Sequence, residues 1–238
     1  MLRHLALEQK LLPYLPSQYP YIQYRVIIVT HDTREFWNES WAEHDDLVPD
    51  ADELLIAEME GLTPGRALDI GCGIGGNAVW LAEHGWQVTA TDFADAAIEK
   101  CKRLATSRGV QVEFLVADAT TFQPDGQYDF ISSFYIQMLP DQRAKMLSIA
   151  ASALAPGGTL LFISHDRSST PSGWTDEDML TLTTPDEVAS ELPGLKIEQA
   201  FVMQQEGGEH SAHAHNSEDD HDTSGPRSTV VKAIRLTR

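Results

Sequence analysis

At 238 residues the chain is long enough for one domain of moderate size with a full core. Its 17 Lys and Arg stand against 36 Asp and Glu, a formal net charge of −19, and no basic groove is visible; this counts against a nucleic-acid partner and suits a soluble protein acting on a small molecule. Two cysteines, Cys72 and Cys101, make no disulfide framework, no apolar run approaches the ~18 residues of a membrane span, and no signal-peptide pattern opens the chain, so a reduced cytoplasm is the expected location.

Residues 1–33 form a leader of unclear role. Leu2, Leu5, Leu7, Leu11 and Leu12 have helical spacing up to Pro13; Pro13, Pro16 and Pro20 then break any regular element, and Tyr24–Val29 reads as a short strand. An appended arm, a homodimer contact and an upstream start codon all account for it. From residue 34 the pattern sharpens. Phe36–Trp41 is a helical stripe with Trp37 and Trp41 on one face at i, i+4, and a second helix runs from Asp45 to Glu60, ending at Gly61. On the residues alone, both tryptophans can simply pack on the sheet edge.

The stretch Arg66 to Asp92, RALDIGCGIGGNAVWLAEHGWQVTATD, organises the rest. It reads as strand, tight turn, helix and strand, with the helix from about Gly75 to His84: half of a doubly wound sheet whose crevice lies at the strand ends. Gly71, Gly73 and Gly76 satisfy G-x-G-x-x-G, a weak dinucleotide signal on its own. Asp69, two places before the first glycine, suits an ammonium group better than a pyrophosphate. Asp92 suits ribose hydroxyls in either cofactor class. Cys72 and Cys101 read as small buried thiols.

Further along, a helix over Ala94–Arg108 ends at Gly109, and Val110–Ala117 is a strand followed by Asp118-Ala119. Asp118 either meets a ligand or starts a turn with Thr120 and Thr121. The strand Gln127–Ser133 runs into Phe134-Tyr135-Ile136-Gln137-Met138 at the crevice mouth. A helix over Asp141–Leu154, closed by Gly157-Gly158, leads to the strand Thr159–Ser164, which delivers His165 and Asp166 to the same edge. Thr184 and Pro185 open a short helix, and strands near Lys196–Gln204 and Ser228–Thr237 finish the sheet. Between them, 206–226 holds His210, His213, His215 and His221 among acids. It reads as a mobile polar loop rather than a metal site, because no helical pairing fixes ligand geometry, and no metal is expected.

Five features resemble the class I S-adenosylmethionine (SAM) dependent methyltransferases: Asp69–Gly76, Asp92, Ala117-Asp118-Ala119, Tyr128-Asp129-Phe130-Ile131 and Leu154–Leu160, in that order. The tryptophan lead-in is similar to that of the thiopurine and tellurite-resistance type, where it caps the SAM site, so the resemblance implies a helical cap over 34–62. The resemblance implies a Rossmann-like α/β domain over 34–238: a seven-stranded sheet, mostly parallel with an antiparallel last strand, and helices on both faces. It implies SAM as cofactor, with S-adenosylhomocysteine (SAH) as product, held by Asp69, Gly71, Cys72, Gly73, Gly75, Asn77, Asp92, Phe93, Asp118, Ala119, Ser133 and Phe134, with Trp37 and Trp41 above. Asp118 would accept from the adenine amino group. The acceptor is expected to be a small molecule with a soft sulfur, selenium or tellurium nucleophile, which needs no strong base; His165 and Tyr135 are the titratable candidates if one is used. A nicotinamide-dependent oxidoreductase and a SAM-binding module without turnover are the alternatives.

Overall fold

The computed structural model describes residues 33–42, 49–169, 176–204 and 227–237. The leader up to residue 32, the first part of the expected second helix at 43–48, and the His-rich loop lie outside the described residues. Two short helices, α1 (Thr33–Ala42) and α2 (Glu53–Met59), precede an alternating series: β1 (Arg66–Ile70), α3 (Gly76–Glu83), β2 (Gln87–Asp92), α4 (Asp95–Arg108), β3 (Glu113–Val116), β4 (Tyr128–Phe134), α5 (Pro140–Ala153) and β5 (Leu154–His165). Then come α6 (Asp176–Met179), α7 (Pro185–Ser190), β6 (Lys196–Gln204) and β7 (Arg227–Ile234).

The seven strands form one sheet in the order β3-β2-β1-β4-β5-β7-β6. Strands β1 to β5 are parallel, and β7 runs antiparallel to both β5 and β6, as the family resemblance implied. Both faces are covered, so the central strands are apolar almost throughout. Along β1, Leu68 and Ile70 enter a core with Ile131, Phe162, Met146 and Leu147, whereas Ala67 faces a second core with Phe130, Leu161, Leu55 and Leu81. The chain winds outward from β1 in one direction and from β4 in the other. The crevice therefore opens at the carboxyl ends of these two neighbours.

Two helix ends and one whole helix differ from the sequence reading. Helix α2 starts only at Glu53, because Asp52 is extended (φ −64°, ψ 132°) and its carboxylate accepts the N–H of Leu54 at 2.9 Å, the arrangement of an N-cap. Helix α5 is not closed by Gly157-Gly158: it stops at Ala153, where Leu154 turns extended, and β5 begins at once. Helix α6 had no sequence signal at all. The start of α7 is as expected, a reciprocal box in which Thr184 accepts from the N–H of Glu187 and Glu187 accepts from that of Thr184.

Candidate active site

At the end of β1, Asp69 is buried, with 2% of its surface exposed. Ser132 on β4 donates to its Oδ1 at 2.7 Å, and Oδ2 has no hydrogen-bond partner among the described residues. Burial pushes its pKa up to about 6 against the Ser132 hydrogen bond, and the charge of Asp92 adds to the rise. Beyond it the N–H groups of Gly71 and Cys72 both donate to the carbonyl of Thr91, folding the turn back onto β2. This needs a left-handed residue at Gly71 (φ +69°), and a Cβ there would collide with the Ile136 side chain.

Asp92 ends β2 and ties the turn to the next helix. Its Oδ2 accepts the N–H of Gly73 and its Oδ1 that of Ala94, both at 2.9 Å. Burial nevertheless raises its pKa to about 6, because the backbone donors only partly offset the loss of water.

The roof comes from the N-terminal helices. Trp37 and Trp41 stack with ring centroids 5.8 Å apart, and the Trp41 ring lies 3.6 Å from where a Cβ on Gly73 would be. The Asp50 carbonyl would stand 2.5 Å from a Cβ on Gly76, and the Asp52 N–H donates to Asn77 Oδ1 at 2.8 Å. Residues 50–52 are thereby seated on the first turn of α3.

These pieces enclose a cavity of about 310 Å³. Its floor and sides include Asp69, Gly71, Cys72, Gly73, Gly75 and Asn77; Asp92, Phe93, Asp118 and Ala119 form the next wall; Phe134 and Tyr135 close the β4 side under Trp37 and Trp41. Two candidates are not in the wall. Ser133 is buried in β4 with its neighbours, and His165 sits beside the Tyr135 ring, 5.2 Å between centroids, off the cavity. Burial lowers the His165 pKa to about 4, so its imidazole is neutral at physiological pH. Tyr135 is the non-glycine residue with positive φ (+56°) among the described residues, and its hydroxyl lies 3.3 Å from Ser228 Oγ. A bulky side chain held in that region marks a strained, over-determined position.

Asp118 uses Oδ1 to accept both the N–H and the hydroxyl of Thr120 at 2.7 Å, so it does start a turn, and it lines the cavity as well. Cys101 is buried, but Cys72 is only half-buried and reaches the cavity wall. Their sulfurs are 3.9 Å apart, and the Cys101 contact, together with burial, raises the Cys72 pKa and keeps that thiol protonated. Asp50, Asp52, Thr120, Gln142 and Thr181 also line the cavity, and no motif announced them. The charged residues of the wall are five carboxylates, Asp50, Asp52, Asp69, Asp92 and Asp118, with no Lys, Arg or His among its described residues. No group of three or more metal-ligating side chains occurs among the described residues, and none of their helices is long and apolar enough to cross a membrane.

A family model described as a methyltransferase domain matches residues 67–158, from β1 into β5. Residues 67–158 carry a methyltransferase domain. The matched stretch holds the glycine turn, Asp92, Asp118 and the end of β4; Trp37, Trp41 and His165 lie outside it. The ribosomal RNA small subunit methyltransferase C of Alcanivorax borkumensis is 30% identical over 158 residues, covering 63% of this chain and 46% of that protein. The 2-heptyl-1-hydroxyquinolin-4(1H)-one methyltransferase of Mycobacteroides abscessus is 32% identical over 123 residues, 50% of this chain and 54% of that one. The chain thus spans about half the length of these curated relatives. The N-methyltransferase NodS from Bradyrhizobium japonicum WM9, solved with SAH, shares the fold of the methyltransferase domain with a TM-score of 0.64 at 17% identity, over 86% of this chain and 99% of that one.

Proposed function

We propose that the protein transfers a methyl group from SAM to a small-molecule acceptor bearing a soft sulfur, selenium or tellurium nucleophile. The observation that carries the SAM part is Asp69: a buried carboxylate with an oxygen lacking a partner among the described residues, in the wall of a cavity beside a glycine turn. Such an oxygen suits the ammonium of the cofactor's amino-acid portion, and Asp92 and Asp118 suit its ribose and adenine, each in addition to the backbone bonds it already makes. When bound, SAM supplies a methyl carbon activated by its own positively charged sulfur. The chain's residues then align, exclude water and balance charge. Trp37 and Trp41 cover the turn, and the five carboxylates suit a cofactor of net positive charge.

One observation supports the acceptor class. Among the described wall residues no histidine or lysine stands ready as a base, which favours a nucleophile that needs none. The domain proper is taken as 34–238, with 34–62 as its cap. The test is calorimetry with SAM, SAH, NAD and NADP, followed by a methyl-acceptor screen of thiols, selenite, tellurite and a hydroxyquinolone. Tight NAD(P) binding without SAH binding overturns the cofactor reading. Methylation confined to the hydroxyl acceptor retires the soft nucleophile alone.

A further inference from the structure

Helix α4 begins without a cap of its own. Ala94 stands at its N-cap and has no side-chain acceptor, yet first-turn N–H groups require partners. Ala94's own N–H goes to Asp92 Oδ1, and the N–H of Ala96 donates to Asn38 Oδ1 at 2.9 Å, from a helix 58 residues earlier in the chain. Asn38 also hydrogen-bonds the Asp95 carboxylate, which Arg34 holds through a 2.7 Å ion pair.

We propose that Asn38 is a positioning residue that latches α1 to the start of α4 and couples the tryptophan roof to the cofactor turn. The proposal rests on the cofactor reading above. Helix α1 has ten residues, fewer than the roughly 12–15 at which an isolated helix becomes even marginally stable in water, so tertiary anchors decide whether it forms. Its two i, i+4 pairs divide the work: Arg34 and Asn38 meet α4, while Trp37 and Trp41 meet the cavity. The contacts close into a ring. Asn38 caps Ala96; two residues earlier in that loop Ala94 donates to Asp92; Asp92 accepts from Gly73; and Gly73 lies under Trp41, back on α1. Loosening the latch therefore frees the roof, and a ligand held at Asp92 and the turn tightens it.

The experiment uses the full chain, with calorimetry of SAH binding and hydrogen exchange of the peptide covering 33–42. Asn38→Ala is expected to weaken SAH about three- to thirtyfold, the range of a lost helix cap, and to speed exchange in 33–42. Arg34→Ala removes a solvent-exposed ion pair and leaves the cap, so its effect stays under about threefold. Asn38→Asp keeps an acceptor oxygen for the Ala96 N–H but loses the amide donor to Asp95 and sets two carboxylates together, so it recovers the affinity only in part. A lower melting temperature in N38A with unchanged SAH affinity makes Asn38 merely structural and overturns the coupling. An R34A defect as large as that of N38A overturns the cap as its cause. If the unaltered protein binds no SAH, the cofactor reading fails on its own, and unchanged exchange of 33–42 in N38A separately overturns the latch.

Discussion

Asp69→Asn separates the demands of folding from those of binding. In the ligand-free chain the Asp69 carboxyl has its pKa raised from 3.8 to about 6. The folded chain therefore binds this proton more tightly than the unfolded one, and the ionised group costs about 3 kcal/mol at pH 7. The sign follows: this cost is full above about pH 6 and fades as pH falls toward 4, so acid stabilises the ligand-free protein through this residue. In the Asn variant the amide oxygen can keep the Ser132 hydrogen bond while the charge is gone. At about 2–4 °C per kcal/mol for a chain of this size, the variant should melt several degrees higher at pH 7. Binding moves the other way. A charge-assisted hydrogen bond is worth about 1.5–3 kcal/mol, so SAH affinity should fall about 10- to 150-fold. In the unaltered protein affinity should drop about tenfold per pH unit below 6 as Asp69 takes up its proton, with a shallower slope in the variant, where Asp92 still titrates. Calorimetry from pH 5 to 8 and thermal denaturation of the same samples measure both. A variant that binds SAH like the parent, or melts lower, refutes the placement of charge at Asp69.

Other substitutions probe neighbouring parts of the site. Asp92→Ala strips the acceptors from the N–H groups of Gly73 and Ala94, and SAH binding should weaken by roughly 1–3 kcal/mol in calorimetry; unchanged affinity removes Asp92 from the site. His165→Ala should leave the turnover of a thiol acceptor nearly intact, since the ring is off the cavity wall, and a collapse in kcat would promote it to a base. The neutral imidazole also makes the native protein lose stability as pH falls from 6.5 through about 4, a loss absent from an acid denaturation series on the His165→Ala variant. Gly71→Ala combines a left-handed backbone, about 1–2 kcal/mol, with overpacking against Ile136, about 1–3 kcal/mol. Adding Ile136→Ala should recover the packing part of the melting temperature only.

Most of the sheet was legible because its signals are local. Apolar runs marked β1, β2 and β4, Gly109 marked the end of α4, and Thr184-Pro185 marked the start of α7. The failures share a cause in partners distant along the chain. Residues 50–52 carry acids and apolar neighbours that read as helix, yet their backbone is committed elsewhere, with Asp52 donating to Asn77 and the Asp50 carbonyl abutting Gly76. Asn38, Gln142 and Thr181 have no local pattern that could have singled them out. His165 was placed on the correct sheet edge, but β5 is one strand beyond the crevice and the Tyr135 ring occupies the wall at that place.

The locally unfavourable choices in this chain gather at one edge of the sheet. Positive φ at Gly71, Gly73, Gly75 and Tyr135, two carboxylates 2% and 7% exposed with raised pKa values, and a carboxylate oxygen without a partner among the described residues all lie around one cavity. Each is a departure that packing alone would not select, because apolar or amide residues at 69 and 92 would avoid burying the charge. The strand interiors, by contrast, alternate cleanly between two apolar cores. Costs concentrated at the binding edge are what a site pre-organised for a positively charged ligand requires: the ligand supplies the missing partner, and the empty site carries the burden until it does.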